Sequence, residues 1–108
     1  MQDKQTSVIL AVGAHTGDAQ LTSGMLLARH AQQGDKIITL DLTAGERGAP
    51  KGVSISDFRK RNIDGAAAFA RMLGGKSIVF DVPDGELYPC KELELRVADV
   101  MREHKVTQ

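Results

Sequence analysis

Three short apolar runs, each followed by a segment of helical period, constrain this chain more than any other feature of it. The runs are residues 7–14 (SVILAVGA), 36–42 (KIITLDL) and 77–82 (SIVFDV). Nearly continuous hydrophobicity over so few residues suits strands covered on both faces, as in a parallel sheet. Between the runs the period lengthens. Leu21, Met25 and Leu26, with Arg29 beside them, predict a helix that starts at Asp18 and stops at Gly34. Ser54 is the predicted cap of a second helix, with Asp57 three residues on as a short capping box. Phe58, Ile63, Ala66, Ala67, Ala70 and Leu73 form its apolar face, which ends at Gly74-Gly75. Leu93, Leu95, Val97, Val100 and Met101 mark a last helix that runs to His104. The order β-α-β-α-β-α predicts an α/β fold: a Rossmann-like parallel sheet with right-handed crossovers, layered with helices, in a single domain over residues 1–108. The chain stops where a fourth strand is due, so the expectation is the N-terminal part of a larger domain, cut short after three strands. A small complete domain is the alternative.

Composition narrows the classes of function. Lysine plus arginine and aspartate plus glutamate each number 14, for a net charge of zero. That balance offers no electrostatic case for nucleic acid or an anionic membrane surface. The single cysteine, Cys90, cannot close an internal disulfide. Residues 1–5 are polar and the apolar run after them is short, so neither a secretory leader nor a membrane span is expected. The expected location is the cytoplasm. No GxGxxG or P-loop pattern supports nucleotide binding.

The chemistry-bearing residues cluster after the strands. Gly13-Ala14-His15-Thr16-Gly17-Asp18 closes the first strand immediately before a helix. Ligands of parallel α/β sheets gather at the carboxyl ends of the strands, where helix N-termini add N–H donors. His15 and Asp18 lie three residues apart across a glycine turn, so an imidazole and a carboxylate can converge on one cation there. A catalytic zinc takes three protein ligands and keeps a place for water, so two residues alone leave the site incomplete. The competing reading makes Asp18 a helix cap and His15 a hydrogen-bonded turn residue. Residues 43–54 hold Gly45, Gly48, Pro50 and Gly52 and read as a loop, either mobile over the site or simply turning. Pro83-Asp84-Gly85 is a turn signal after the third strand, at the same end of the sheet as His15. Cys90 stands near a helix start, as an activated or a plain thiol.

Several of these motifs together resemble one family. Ala14-His15-Thr16-Gly17-Asp18 is similar to the Ala-His-Pro-Asp-Asp signature of the LmbE/PIG-L-like N-acetylglucosaminyl deacetylases. The similarity continues through Leu21-Thr22-Ser23-Gly24, residues 42–48 (LTAGERG), Arg61-Asn62-Ile63-Asp64, Leu73-Gly74 and residues 83–87 (PDGEL). It spans nearly the whole chain in order. The resemblance implies zinc held by His15 and Asp18, and substrate contacts from Arg61 and Asp84. Without it, Arg61 is a solvated helix arginine and Asp84 an ordinary turn residue.

The chain also departs from the signature. The residue that the family uses as general base is Gly17, which cannot accept a proton. General-base assistance is worth on the order of 100- to 10,000-fold. The family's third zinc ligand, a histidine, has no counterpart here, since His30 and His104 stand in other contexts. The expectation is therefore a scaffold for zinc-dependent hydrolysis of N-acetylglucosamine conjugates that is inactive as given, with no catalytic residue of its own. Two alternatives stay open: a non-catalytic carbohydrate or metabolite binder of the same fold, and a scaffold that forms homo-oligomers through its exposed sheet edge. The expected partner is a small amino-sugar conjugate, not nucleic acid or membrane.

Overall fold

The computed structural model describes residues 5–108. The first four residues of the polar start lie outside the described residues. Strands β1 (Val8–His15), β2 (Lys36–Thr43) and β3 (Lys76–Val79) form one parallel sheet in the order β1-β2-β3. Helices α1 (Asp18–Gln32) and α2 (Ile55–Met72) make the two crossovers, and α3 (Lys91–Glu103) follows β3. The expected α/β fold is present. The third strand is shorter than its apolar run: residues 80–82 leave the ladder, although the Phe80 N–H still donates to the Asp41 carbonyl at 2.8 Å.

Handedness decides which helix covers which face. Two right-handed crossovers in the same direction put α1 and α2 on one side of the sheet. There Ile9, Leu27 and Ile37 form a core with Ala11, Ala31, Phe69 and Leu73 packed on it. After β3 the chain turns back across the sheet, so α3 must lie on the opposite face. Leu40, Phe80 and Val100 make the second core, flanked by Leu10, Ile78, Leu93 and Val97. Strand β2 is central and enclosed on both faces, which is why even its polar residues Thr39, Asp41 and Thr43 are buried beside Ile37, Ile38 and Leu40. Burying side chains such as Leu27, Ile37 and Leu40 contributes about 1.5–3 kcal/mol each.

Past α3 the chain reaches the free edge of β1. The Thr107 and Gln108 N–H groups donate to the Val8 carbonyl, and the Leu10 N–H donates to the Gln108 carbonyl at 2.9 Å. This is a parallel bridge on the side of β1 away from β2. The connection that leaves β1 crosses one face of the sheet and the one that returns to it crosses the other. Such a reversal opens a crevice at the carboxyl end of the strand, and His15 stands there.

The predicted face of α1 is corrected. Leu21 and Met25 are 88% and 91% exposed and Leu26 is exposed too, whereas Ala19 and Leu27 are buried. Ala19, Ser23, Leu27 and Ala31 form the stripe at i, i+4 spacing that meets the sheet. The small members of that stripe let the helix lie close to the strands. Leu95 and Met101 of α3 likewise face outward, while Leu93, Val97 and Val100 pack inward. The cap of α2 forms as expected, with Ser54 Oγ accepting from the Asp57 N–H at 3.1 Å. No helix is long and apolar enough to cross a membrane among the described residues.

Candidate functional site

Register brings the carboxyl ends of the strands level: Gly13 pairs with Asp41, His15 with Thr43, and Asp41 with Val79. Three turns start from this rim. In the first, Gly17 caps α1 with φ 100°, a left-handed conformation that glycine adopts readily. Asp18 is thus the first helical residue, not the cap. Its Oδ2 turns back to accept the His15 N–H at 2.9 Å and lies 3.4 Å from His15 Nδ1. Thr16 stands where the deacetylase signature has proline. Its N–H donates to the Thr43 carbonyl and its Oγ1 to the Ala44 carbonyl, and proline can supply neither bond.

The second turn, after β2, is ordered rather than slack. Gly45 adopts φ 65° and leads into a 3-10 turn at Glu46–Gly48. Asn62 of α2 donates to the Ala44 carbonyl at 2.8 Å and ties the loop to the helix. Glu46 is buried. Its Oε1 accepts the Asp84 N–H at 3.1 Å and lies 3.6 Å from Arg59 Nη1. The third turn, after β3, is closed by Glu86 N–H donating to the Pro83 carbonyl, with Gly85 at φ 91°. Asp84 folds back across β2: its Oδ2 accepts the Arg47 N–H at 2.9 Å, and its Oδ1 is 3.1 Å from His15 Nε2.

The structure therefore gathers three of the four expected site residues. His15 has Asp18 at one ring nitrogen and Asp84 at the other, and a pocket of about 440 Å³ opens beside them between Phe58 and Asn62. Arg61 lies apart. It lines an adjoining cleft of about 520 Å³ with Gln20 and Phe69, and Thr16 and Asn62 border both spaces. Arg61 is exposed and has no ion pair or hydrogen bond among the described residues. His30 and His104 are elsewhere. His30 Nδ1 is 2.8 Å from Asp35 Oδ2, and Asp35 in turn accepts the Ser7 N–H, so this histidine braces the opposite end of the sheet. His104 closes α3.

One further group at the rim escaped sequence reasoning. Asp41 is completely buried beside Gly13, and neither carboxylate oxygen has a hydrogen-bond partner among the described residues. Burial pushes its carboxyl up to about 6; the Gln20 side chain opposes this and the Asp18 carboxylate adds to it. An aspartate inside an otherwise apolar run, near its carboxyl end, was the available signal.

Zinc can be tested against these residues. Two ligands about 2.0–2.1 Å from a tetrahedral zinc stand about 3.3 Å apart, close to the 3.4 Å between His15 Nδ1 and Asp18 Oδ2. Nδ1 bears a lone pair in the Nε2–H tautomer of the neutral imidazole, and in that form the two atoms suit a shared cation. The two residues fit adjacent corners of such a site. No group of three histidine, cysteine, aspartate or glutamate side chains is disposed to hold a metal among the described residues.

A parallel sheet whose connections reverse beside β1, with a histidine–aspartate pair at that reversal, defines a Rossmann-like α/β domain with its candidate site at the strand ends. The chain belongs to the PIG-L family, described as GlcNAc-PI de-N-acetylase, which it matches over residues 10–107. It is 33% identical over 102 residues to the 4-oxalmesaconate hydratase of Pseudomonas putida, covering 86% of this chain and 38% of that protein. The crystal structure of GalB, the 4-carboxy-2-hydroxymuconate hydratase of Pseudomonas putida, superposes with a TM-score of 0.83 at 28% identity. The match covers 94% of this chain and 45% of that one. A conserved protein of Thermus thermophilus aligns with a TM-score of 0.67 at 31% identity, over 94% of this chain and 44% of its own. The chain thus spans less than half the length of each of these relatives.

Proposed function

We propose that this domain supplies the strand-end half of a zinc site that adds water to a small unsaturated carboxylic acid, a hydratase rather than an amide-cleaving enzyme. The observation that carries the reading is Gly17. Amide hydrolysis needs a group that takes a proton from the attacking water and delivers it to a poor amine leaving group. At the corresponding position this chain has a left-handed glycine. Addition of water to a conjugated double bond expels no leaving group and depends less on that shuttle. When bound, zinc lowers the pKa of water and polarises an oxygen of the substrate.

The chain's own residues are assigned as follows. His15 and Asp18 hold the metal from one side. Asn62, Gly45 and Gly48 shape the pocket wall, and Phe58 keeps part of it dry. Arg61, unpaired in the adjoining cleft, is placed to take a carboxylate, which its planar guanidinium binds through two hydrogen bonds. The Pseudomonas putida hydratase activity met in both the sequence and the structural comparison supports this choice of reaction.

Deacetylation of an N-acetylglucosamine conjugate is the second reading, and the description of the family favours it. The same Arg61 would then grip sugar hydroxyls. The two are separated by assaying the whole zinc-loaded gene product. Conjugated absorbance is followed with 4-carboxy-2-hydroxymuconate, and acetate release with N-acetylglucosamine conjugates. Loss of the absorbance without acetate release is expected. Acetate release, or neither signal, would overturn the hydratase assignment.

A further inference from the structure

Asp84 was expected to touch substrate, yet its carboxylate is engaged elsewhere. Its side chain is only 11% exposed, whereas His15 and Asp18 are about half exposed at 48% and 49%. Each polar end of Asp84 is fixed: its N–H on Glu46 Oε1, its Oδ2 under the Arg47 N–H, and its Oδ1 against His15 Nε2. Glu46 is itself buried and Arg59 stands beside it, so the chain of contacts runs from α2 through the 3-10 turn to the imidazole.

We propose that Asp84 is the positioning carboxylate of His15, holding the proton on Nε2 so that the Nδ1 lone pair faces the metal position shared with Asp18. The physical logic is that a carboxylate only accepts. Of the two carboxylates beside the ring, Asp84 Oδ1 is the nearer, 3.1 Å from Nε2, whereas Asp18 Oδ2 lies 3.4 Å from Nδ1 and already accepts the His15 backbone N–H. A neutral imidazole then keeps its proton on Nε2, which leaves Nδ1 free to ligate. Metal-bound histidines commonly donate their second ring N–H to such a partner, and its loss typically weakens metal binding 10- to 100-fold. The assignment rests on the metal site of the proposed function but not on its reaction, and it takes Asp84 out of the substrate contacts.

The Asp84→Asn variant is the sharp test because it keeps size and shape while reversing the instruction. The Arg47 N–H requires an oxygen, so the amide must place its Oδ1 there and turn its NH₂ toward His15. Nε2 then has to accept, and the proton moves to Nδ1, into the metal position. The measurements are the ¹⁵N shifts of the His15 ring in metal-free protein at pH 8, and zinc affinity by calorimetry. The parent is expected to show the Nε2–H form and the Asp84→Asn variant the Nδ1–H form, with zinc bound 10- to 100-fold more weakly. Asp84→Ala, which leaves Nε2 without a partner, is expected to give a mixture of the two forms.

A purely structural or substrate-contacting Asp84 would leave the tautomer unchanged and zinc affinity within twofold of the parent, and either result overturns the proposal. Zinc uptake by parent and variant alike removes only the role of Asp84. Failure of the parent to take up zinc removes the metal site and this role with it.

Discussion

Replacing Asp41 by asparagine is expected to stabilise the protein at neutral pH and to do nothing, or slight harm, in acid. The side chain is fully buried, its oxygens lack partners, and its carboxyl is raised from 3.8 to about 6, chiefly by desolvation. A folded-state pKa above the unfolded one means that the native protein binds the extra proton between those limits. Stability is then greatest below pH 3.8 as far as this group is concerned, declines from there to pH 6, and is level above. That rise from 3.8 to about 6 corresponds to about 3 kcal/mol. Asparagine has the shape of the protonated acid and cannot ionise, so it removes that penalty.

The assay is urea unfolding of parent and Asp41→Asn at a series of pH values between 3.5 and 7.5, in chelator to keep cations from Asp18. The difference between the two proteins cancels every titrating group that does not sense the Asp41 charge, which leaves only the neighbouring Asp18 coupled to it. It should move in favour of the variant by about 3 kcal/mol across the range, most steeply between pH 4 and 6. A difference that does not vary with pH, or a variant less stable than the parent at pH 7.5, would refute the reasoning. Either would show that Asp41 is solvated or paired as an ion.

Other predictions concern backbone and packing. Gly17→Asp meets open space but must adopt φ 100°, so thermal denaturation should show a loss of about 1–2 kcal/mol with the fold intact. Gly75→Ala runs its Cβ into the Ile37 carbonyl oxygen and should cost about 3 kcal/mol in the same experiment. Leu27→Ala, at 1% exposure, should destabilise by about 2–5 kcal/mol. Met25→Ala, on the outer face of the same helix, should stay within about 0.5 kcal/mol of the parent in denaturant titrations. Exchanging the last two results would restore the helical phase that large-residue hydropathy suggests.

The elements were legible because each carries a local signal: β-branched runs for strands, Ser54 and Gly34 for helix limits, Pro83-Asp84-Gly85 for a turn. The face of α1 was misread because Leu21, Met25 and Leu26 outweigh the small stripe of Ala19, Ser23 and Ala31. How closely a helix approaches a sheet is a tertiary property that hydropathy does not encode. At the site, His15 and Asp18 are neighbours in sequence and were visible as a pair. The contact of His15 with Asp84 spans 69 residues and two turns. It depends on the register of three strands and on Glu46 and Arg47 fixing the third turn. Asp41 was hidden inside a strand, counted within the apolar run of residues 36–42.

The central claim is that a histidine and an aspartate at the end of β1 form one side of a metal site. It is tested most directly by zinc titration of the whole gene product in a calorimeter, beside its His15→Ala and Asp18→Asn variants. One zinc per chain, lost in both variants, is the predicted result. Absence of binding to the parent, or binding that survives both substitutions, would contradict it.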